Sequence, residues 1–191
     1  MLKKIRNVFS VLTIGISVLS MVSCLDDNEV TYPPVKLEDI PGTYNGKIAI
    51  LYNNLTKEGL INNVVTTDSM KIAKFPMNEI INSFEKDEEK ANEILTQLTP
   101  VKYDFAYTAN IKQEYGGAEM ILNPEPLTLN INTDEGVKSA VIKFSAKENG
   151  FYSTVEKAMA IRLKVDEIIY DGEKVELEKG ITYTMPYLTK K

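Results

Sequence analysis

Val101-Lys102-Tyr103-Asp104-Phe105-Ala106-Tyr107-Thr108-Ala109-Asn110-Ile111 is the cleanest period-two stretch of the chain. Val101, Tyr103, Phe105, Tyr107, Ala109 and Ile111 fall on one side, and Lys102, Asp104, Thr108 and Asn110 on the other. Side chains of an extended strand alternate between faces, so this pattern predicts a strand with one buried face. A slip of one residue would turn the whole apolar set to water, so the pattern itself sets the register. The length and regularity of the run make it the expected central strand, with Phe105 at its most crowded position. Gly116-Gly117 then suits a tight turn into a partner strand at Ala118–Leu122.

Weaker versions of the same pattern flank this run. Tyr44, Gly46, Ile48, Ile50 and Tyr52 alternate with polar residues, and Val64–Phe75 is a less regular second run. Asn53-Asn54 and Asn62-Asn63 read as turns between them. Leu127, Leu129 and Ile131 alternate, as do Ala140, Ile142 and Phe144. Ser153-Thr154-Val155-Glu156 fits a helix capping box, yet Met159, Ile161, Leu163 and Val165 alternate strictly, which favours a long strand from about 158. Tyr170-Asp171-Gly172-Glu173 predicts a type I′ hairpin, because Asp and Gly tolerate positive φ. Val175, Leu177, Ile181, Tyr183 and Met185 complete the strand-like set. After Pro76 the period changes: Met77, Ile80, Ile81 and Phe84, then Ala91, Ile94, Leu95 and Leu98, follow helical spacing on either side of Asp87-Glu88-Glu89. The expectation is a mainly β domain, an antiparallel sandwich or a lipocalin-like partly closed barrel of roughly nine strands, with a helical insert near 77–98. One curved antiparallel sheet packed on the helix, an α+β arrangement, is the alternative.

The N-terminus tells of location. Lys3, Lys4 and Arg6 precede an apolar run from Val8 to Val22, then Ser23 and Cys24, the only cysteine. A basic segment followed by an apolar run too short to span a bilayer comfortably reads as a secretory signal. Met21-Val22-Ser23-Cys24 resembles a bacterial lipobox, which implies cleavage after residue 23 and a lipid on Cys24. The acidic tract Asp26-Asp27-Asn28-Glu29 resembles a surface-export signal in lipoproteins of Gram-negative gut anaerobes. The expected organisation is a signal peptide at 1–23, an acidic, Pro-containing tether at 24–39 and a single β-rich domain at 40–188. The expected location is the outer membrane, on the cell surface, with the periplasmic face as alternative.

Composition excludes much chemistry. The chain has no histidine and no tryptophan, and its net charge is −5. Histidine-based catalysis, histidine metal sites and paired-thiolate metal sites are therefore ruled out by residue type, and no metal or other cofactor is expected. An acidic chain without a basic run is not expected to bind nucleic acid. No phosphate-binding or dinucleotide fingerprint is present.

Pro41-Gly42-Thr43-Tyr44-Asn45-Gly46 opens the first strand. A lipid-anchor signal, a Pro-bearing tether and Gly-x-Tyr at the first strand together make the chain similar to the calycin-like or lipocalin-like lipoproteins of unknown function from Gram-negative gut anaerobes. That resemblance implies a barrel able to hold a ligand, and it carries over no site residues.

Candidate functional residues follow from these readings. Tyr103, Phe105 and Tyr107 form either core or a ligand-stacking wall. Asp104, Glu114, Glu119, Asp166 and Glu167 are the carboxylates on strand-like segments that a glycosidase-like hydrolase could pair. Asp68-Ser69-Met70 resembles a short O-glycosylation acceptor of those anaerobes, which places a glycan on Ser69. A non-enzymatic binding or accessory module is the leading expectation, its partner a small apolar molecule, a glycan or a protein, with the membrane reached through Cys24. A carboxylate-dependent hydrolase and a surface-assembly subunit with an exposed sheet edge are the alternatives.

Overall fold

The structure, a computed structural model, describes residues 31–98 and 100–191. Cys24 and the expected signal peptide lie outside the described residues.

The chain enters its sheet through a hairpin of β1 (Gly42–Tyr52) and β2 (Leu55–Val65). The connecting Asn53 and Asn54 both have positive φ, 48° and 64°, a conformation that Asn tolerates better than most residues and that matches strand twist. Asn62 and Asn63 are not a turn: β2 runs straight through them, and Asn63 is fully buried. β3 (Ser69–Ile72) is short, and two helices follow, α1 (Asn78–Phe84) and α2 (Glu88–Leu98). The break between them is made by Asp87, whose carboxylate accepts the backbone N–H groups of Glu89 (3.0 Å) and Lys90 (3.1 Å) as an N-cap. Ile80, Ile81, Ala91 and Ile94 are buried, as their spacing predicts.

β4 (Tyr103–Lys112) and β5 (Gly117–Asn123) form the next hairpin, with a 3-10 turn at Gln113–Tyr115 and Gly116 in the left-handed region, φ 64°. β6 (Leu127–Thr133) pairs with β7 (Gly136–Ser145). The chain then continues as β8 (Gly150–Ser153), β9 (Ala158–Tyr170), β10 (Glu173–Lys174) and β11 (Thr182–Lys190). The capping-box residues make a turn rather than a helix: Ser153 Oγ accepts the N–H of Glu156 at 3.2 Å, and β9 starts two residues later. Asp171 and Gly172 take positive φ, 51° and 84°, at the expected hairpin.

β1, β2, β3, β4, β5, β8, β9 and β11 follow one another around an eight-stranded antiparallel barrel, which closes because β11 pairs with both β9 and β1. The architecture is therefore a barrel and not a sandwich, with eleven strands in the sheet. In a closed barrel no strand is central, so the expectation for β4 does not hold. β9 is the strand that organises the fold. Its first residues, Ala158–Ala160, pair with β8 inside the barrel, while Lys164–Tyr170 run on to pair with β7. β6, β7 and the far half of β9 thus form a flap that leaves the barrel wall, and α2 packs on β6. Ile111 also departs from expectation. β4 runs on past β3, whose pairing with it covers only Tyr103–Ala106, and Ile111 near the end of this extension is half exposed.

The antiparallel order gives the barrel two distinct ends. One end holds the residues before β1, the β4–β5 turn, the β8–β9 turn and the C-terminus of β11. The other holds the β1–β2 turn, both helices and the flap. An eleven-residue strand such as β2 is about 33 Å long, and the roughly 40° tilt of barrel strands leaves the ends about 25 Å apart.

Candidate functional site

The barrel interior is filled by its own side chains. Tyr44, Ile48, Met70, Ile72, Met120, Tyr152, Leu163, Tyr183 and Met185 all point inward and are almost fully buried. Toward the helical end Phe75 packs against Tyr183 (4.7 Å between ring centres), Tyr103 (5.1 Å) and Phe144 of the flap (5.6 Å). This aromatic plug results from Phe75 following the short β3 and from β7 folding over the opening.

Tyr103, Phe105 and Tyr107 belong to this packed interior. Phe105 is buried, with its ring 5.6 Å from that of Tyr103. The two hydroxyls reach the backbone rather than a cavity: Tyr103 donates to the carbonyl of Glu125 (2.8 Å) and Tyr107 to that of Thr66 (2.6 Å). Burial pushes the Tyr107 hydroxyl up to about 12, with the Asp68 carboxylate adding to the shift. Burial raises Tyr44, Tyr103 and Tyr183 in the same direction. One polar group sits awkwardly in this interior. Asn63 Nδ2 lies 3.7 Å from Met70 Sδ and 3.8 Å from Met185 Sδ, and its Oδ1 has no partner among the described residues.

The most distinctive surface feature is the outer edge of β2. β2 pairs with β1 along its whole length but with β3 only at Asn63–Val65, because β3 ends at Ile72. Leu55–Asn62 therefore has no strand on its outer side among the described residues. Beside it lies a hollow lined by Ile48, Ile50, Lys57, Gly59, Pro76 and Glu79, among others. It lies between the β1–β2 hairpin and residues 74–79, next to the lane that a longer β3 would fill. Glu79 on α1 is buried, and Lys57 Nζ reaches its carboxylate at 2.9 Å across the hollow. Gly59 opens the floor of the lane to Ile48, and Leu60 is 86% exposed at its rim. Neither Glu79 nor the lane was legible in the sequence. Glu79 sits inside a helical apolar pattern, and the lane depends on where β3 stops.

The carboxylates that a hydrolase could pair have partners of their own or stand exposed. Glu167 lies 2.5 Å from Lys143 and 3.5 Å from Lys174, which hold its carboxyl below the usual range. Glu119 accepts from Asn149 (2.9 Å) and lies 3.8 Å from Lys112, and Asp166 lies 3.9 Å from Lys164. Asp104 is exposed on the outer face of β4, opposite Lys71 of β3, and Glu114 is exposed in the 3-10 turn after β4. Among the described residues no three acidic or thiol side chains gather as a metal site would require. Ser69 opens β3 half-buried, with Oγ 2.7 Å from Thr66 Oγ1, and the next residue, Met70, is fully buried.

The residues before β1 are held against the barrel. Gln113 Nε2 donates to the carbonyls of Tyr32 (3.3 Å) and Pro33 (3.1 Å), while its Oε1 accepts the N–H of Val35 (2.9 Å). The Tyr32 ring lies over Gly116, where any side chain would collide with it. Ile40 is buried, and its carbonyl accepts the Tyr44 hydroxyl at 2.5 Å. The Asp39 carbonyl accepts from Tyr152 (3.2 Å) and Lys190 Nζ (2.6 Å), so the 3-10 turn Leu37–Asp39 caps this end of the barrel.

No curated protein and no solved structure matches the chain. A family match covers residues 39–170, from the capping turn through β9, and leaves out the closing strand β11. The chain belongs to the family described as a domain of unknown function (DUF4840).

Proposed function

We propose that this protein is a lipid-anchored component of the cell envelope that acts without catalysis, as an accessory module binding another protein by strand addition at β2. The observation that carries the reading is the pairing of a filled barrel with an open sheet edge. The interior offers side chains rather than space, which disfavours a small apolar ligand held as in a hollow barrel. Leu55–Asn62 offers a row of backbone donors and acceptors with a lane beside it, the arrangement that an added strand satisfies. The lysine and amide partners of Glu119, Asp166 and Glu167 suit a solvated surface rather than an acid–base pair.

The anchor rests on the lipobox-like Met21-Val22-Ser23-Cys24. Its place is the outer membrane, with the acidic tract after Cys24 favouring the outer surface. Mass spectrometry of the membrane fraction should find an acylated N-terminal Cys24, and a soluble wild type with a free thiol would refute the anchor. For the edge, a photo-crosslinking residue at Thr56 should give a discrete adduct in cells, and Leu60→Lys, a charge on the open edge, should abolish it without unfolding the domain. Adduct formation that ignores Leu60→Lys would refute strand addition.

A further inference from the structure

We propose that the barrel end capped by the Leu37–Asp39 turn is a second membrane contact, a surface laid against the lipid headgroups, so that the β2 edge is presented away from the bilayer. This rests on the anchor at Cys24 proposed above and adds to it an orientation and a contact surface.

Three observations converge. The first is the clasp. All three hydrogen bonds that fix Tyr32, Pro33 and Val35 come from the one side chain of Gln113, and the Tyr32 ring is seated on Gly116. The chain thus leaves the barrel at a fixed place on its capped end. The second is reach. Seven residues lie between Cys24 and Tyr32, and the eight Cα–Cα steps they make span at most about 28 Å when fully extended. With the tilt of barrel strands the two ends lie about 25 Å apart, so this leash would have to run almost fully extended along the wall to bring the opposite end to the bilayer.

The third is the composition of the capped end. Tyr115 (56% exposed) and Val155 (58% exposed) crown the two turns there, and these turns are joined by the bond from Thr154 N–H to the Gly116 carbonyl at 3.0 Å. Ile111 and Leu37 are also exposed at this end. Lys112 and Lys157 stand among them, as do the exposed carboxylates Glu38, Asp39, Glu114 and Glu156. A tyrosine with aliphatic neighbours and lysines suits the boundary between headgroups and acyl chains, where an amphipathic ring and a long basic stem each satisfy both media. Nothing in the packing of the barrel calls for an exposed Tyr115 or Val155. Few apolar atoms are involved, so the contact orients a domain already anchored and does not replace the anchor.

The absence of tryptophan makes a single-reporter test clean. The full acylated chain is reconstituted in phosphatidylethanolamine–phosphatidylglycerol vesicles carrying brominated acyl chains, which quench nearby indoles. Tyr115→Trp and, as a second reporter, Val155→Trp probe the capped end, while Leu55→Trp probes the far tip of the β1–β2 hairpin. The expected result is quenching several-fold stronger at Tyr115→Trp and Val155→Trp than at Leu55→Trp, with the contrast reduced when Gln113→Ala releases the clasp. Equal quenching at both ends of a protein that floats with the vesicles would overturn the orientation and leave the anchor intact. A protein that does not float would overturn both.

Discussion

Asn63 is fully buried between two thioethers, and its carbonyl oxygen is left without a donor. Thioether sulfur is a weak acceptor, and an unpaired buried carbonyl costs about 1–3 kcal/mol. Asn63→Leu keeps the size and removes both polar atoms, so it should stabilise the protein by about 1 kcal/mol and raise Tm by about 2–4 °C. A drop in Tm would mean that a buried water satisfies the amide. Phe105 is the opposite case. Its face was legible from alternation alone, and the ring is buried beside Tyr103. Phe105→Ala should cost about 3–5 kcal/mol, while Thr108→Ala on the exposed face should stay within about 0.5 kcal/mol. Denaturant melts of the two variants check this, and equal midpoints would refute it. Alternation located Phe105 because it reports burial. It is silent on Asn63, because a polar residue on an inward position looks the same as a turn residue until the strand around it is known.

At the scale of elements, what the sequence showed and hid follows one rule. β1, β4, β6, β7 and β9 carry an apolar face and were visible. Leu55-Thr56-Lys57-Glu58-Gly59-Leu60 does not alternate, because this half of β2 extends beyond the packed interior. Its strand conformation comes from pairing with β1 through the Asn53–Asn54 turn. The helices were visible by period, with Asp87-Glu88-Glu89 as the interruption between them, whereas the capping of α2 by Asp87 emerged only in the structure. The candidate binding lane was not visible, since it is the space left where β3 ends. Lys57 and Glu79 fasten α1 across the hollow beside that lane at 2.9 Å. Lys57→Ala leaves a buried carboxylate without its cation and should cost about 1–3 kcal/mol, with faster amide exchange in α1. Glu79→Gln added to Lys57→Ala should recover part of the loss. A double variant no better than the single would show that the charge is not what destabilises.

At the scale of the whole molecule, a ring of buried tyrosines couples the fold to alkaline pH. Burial raises Tyr44, Tyr103, Tyr107 and Tyr183, Tyr107 to about 12, whereas unfolded tyrosine ionises near 10. A group whose folded value is raised contributes stability in full below about pH 10 and loses it as pH rises through the folded value. Stability should therefore be flat up to about pH 10 and fall steeply toward pH 12. Tyrosinate absorbance from the buried rings should appear together with loss of near-ultraviolet circular dichroism. Ionisation of the buried rings in an intact fold would contradict this. Barrel closure was the part of the architecture least open to sequence reasoning. Whether alternating strands form a sandwich or a ring depends on which strand β11 meets, and it meets both β9 and β1. That closure also dictates how the protein comes into being. Among the described strands, the one that completes the ring comes last in the chain. At about 5–20 residues per second, β1 exists for roughly 7–30 s before its second neighbour does. During that interval no ring can form. Until β11 emerges only local pairings such as the β1–β2 and β4–β5 hairpins are available, and the outer edge of β1 that β11 will cover stays open.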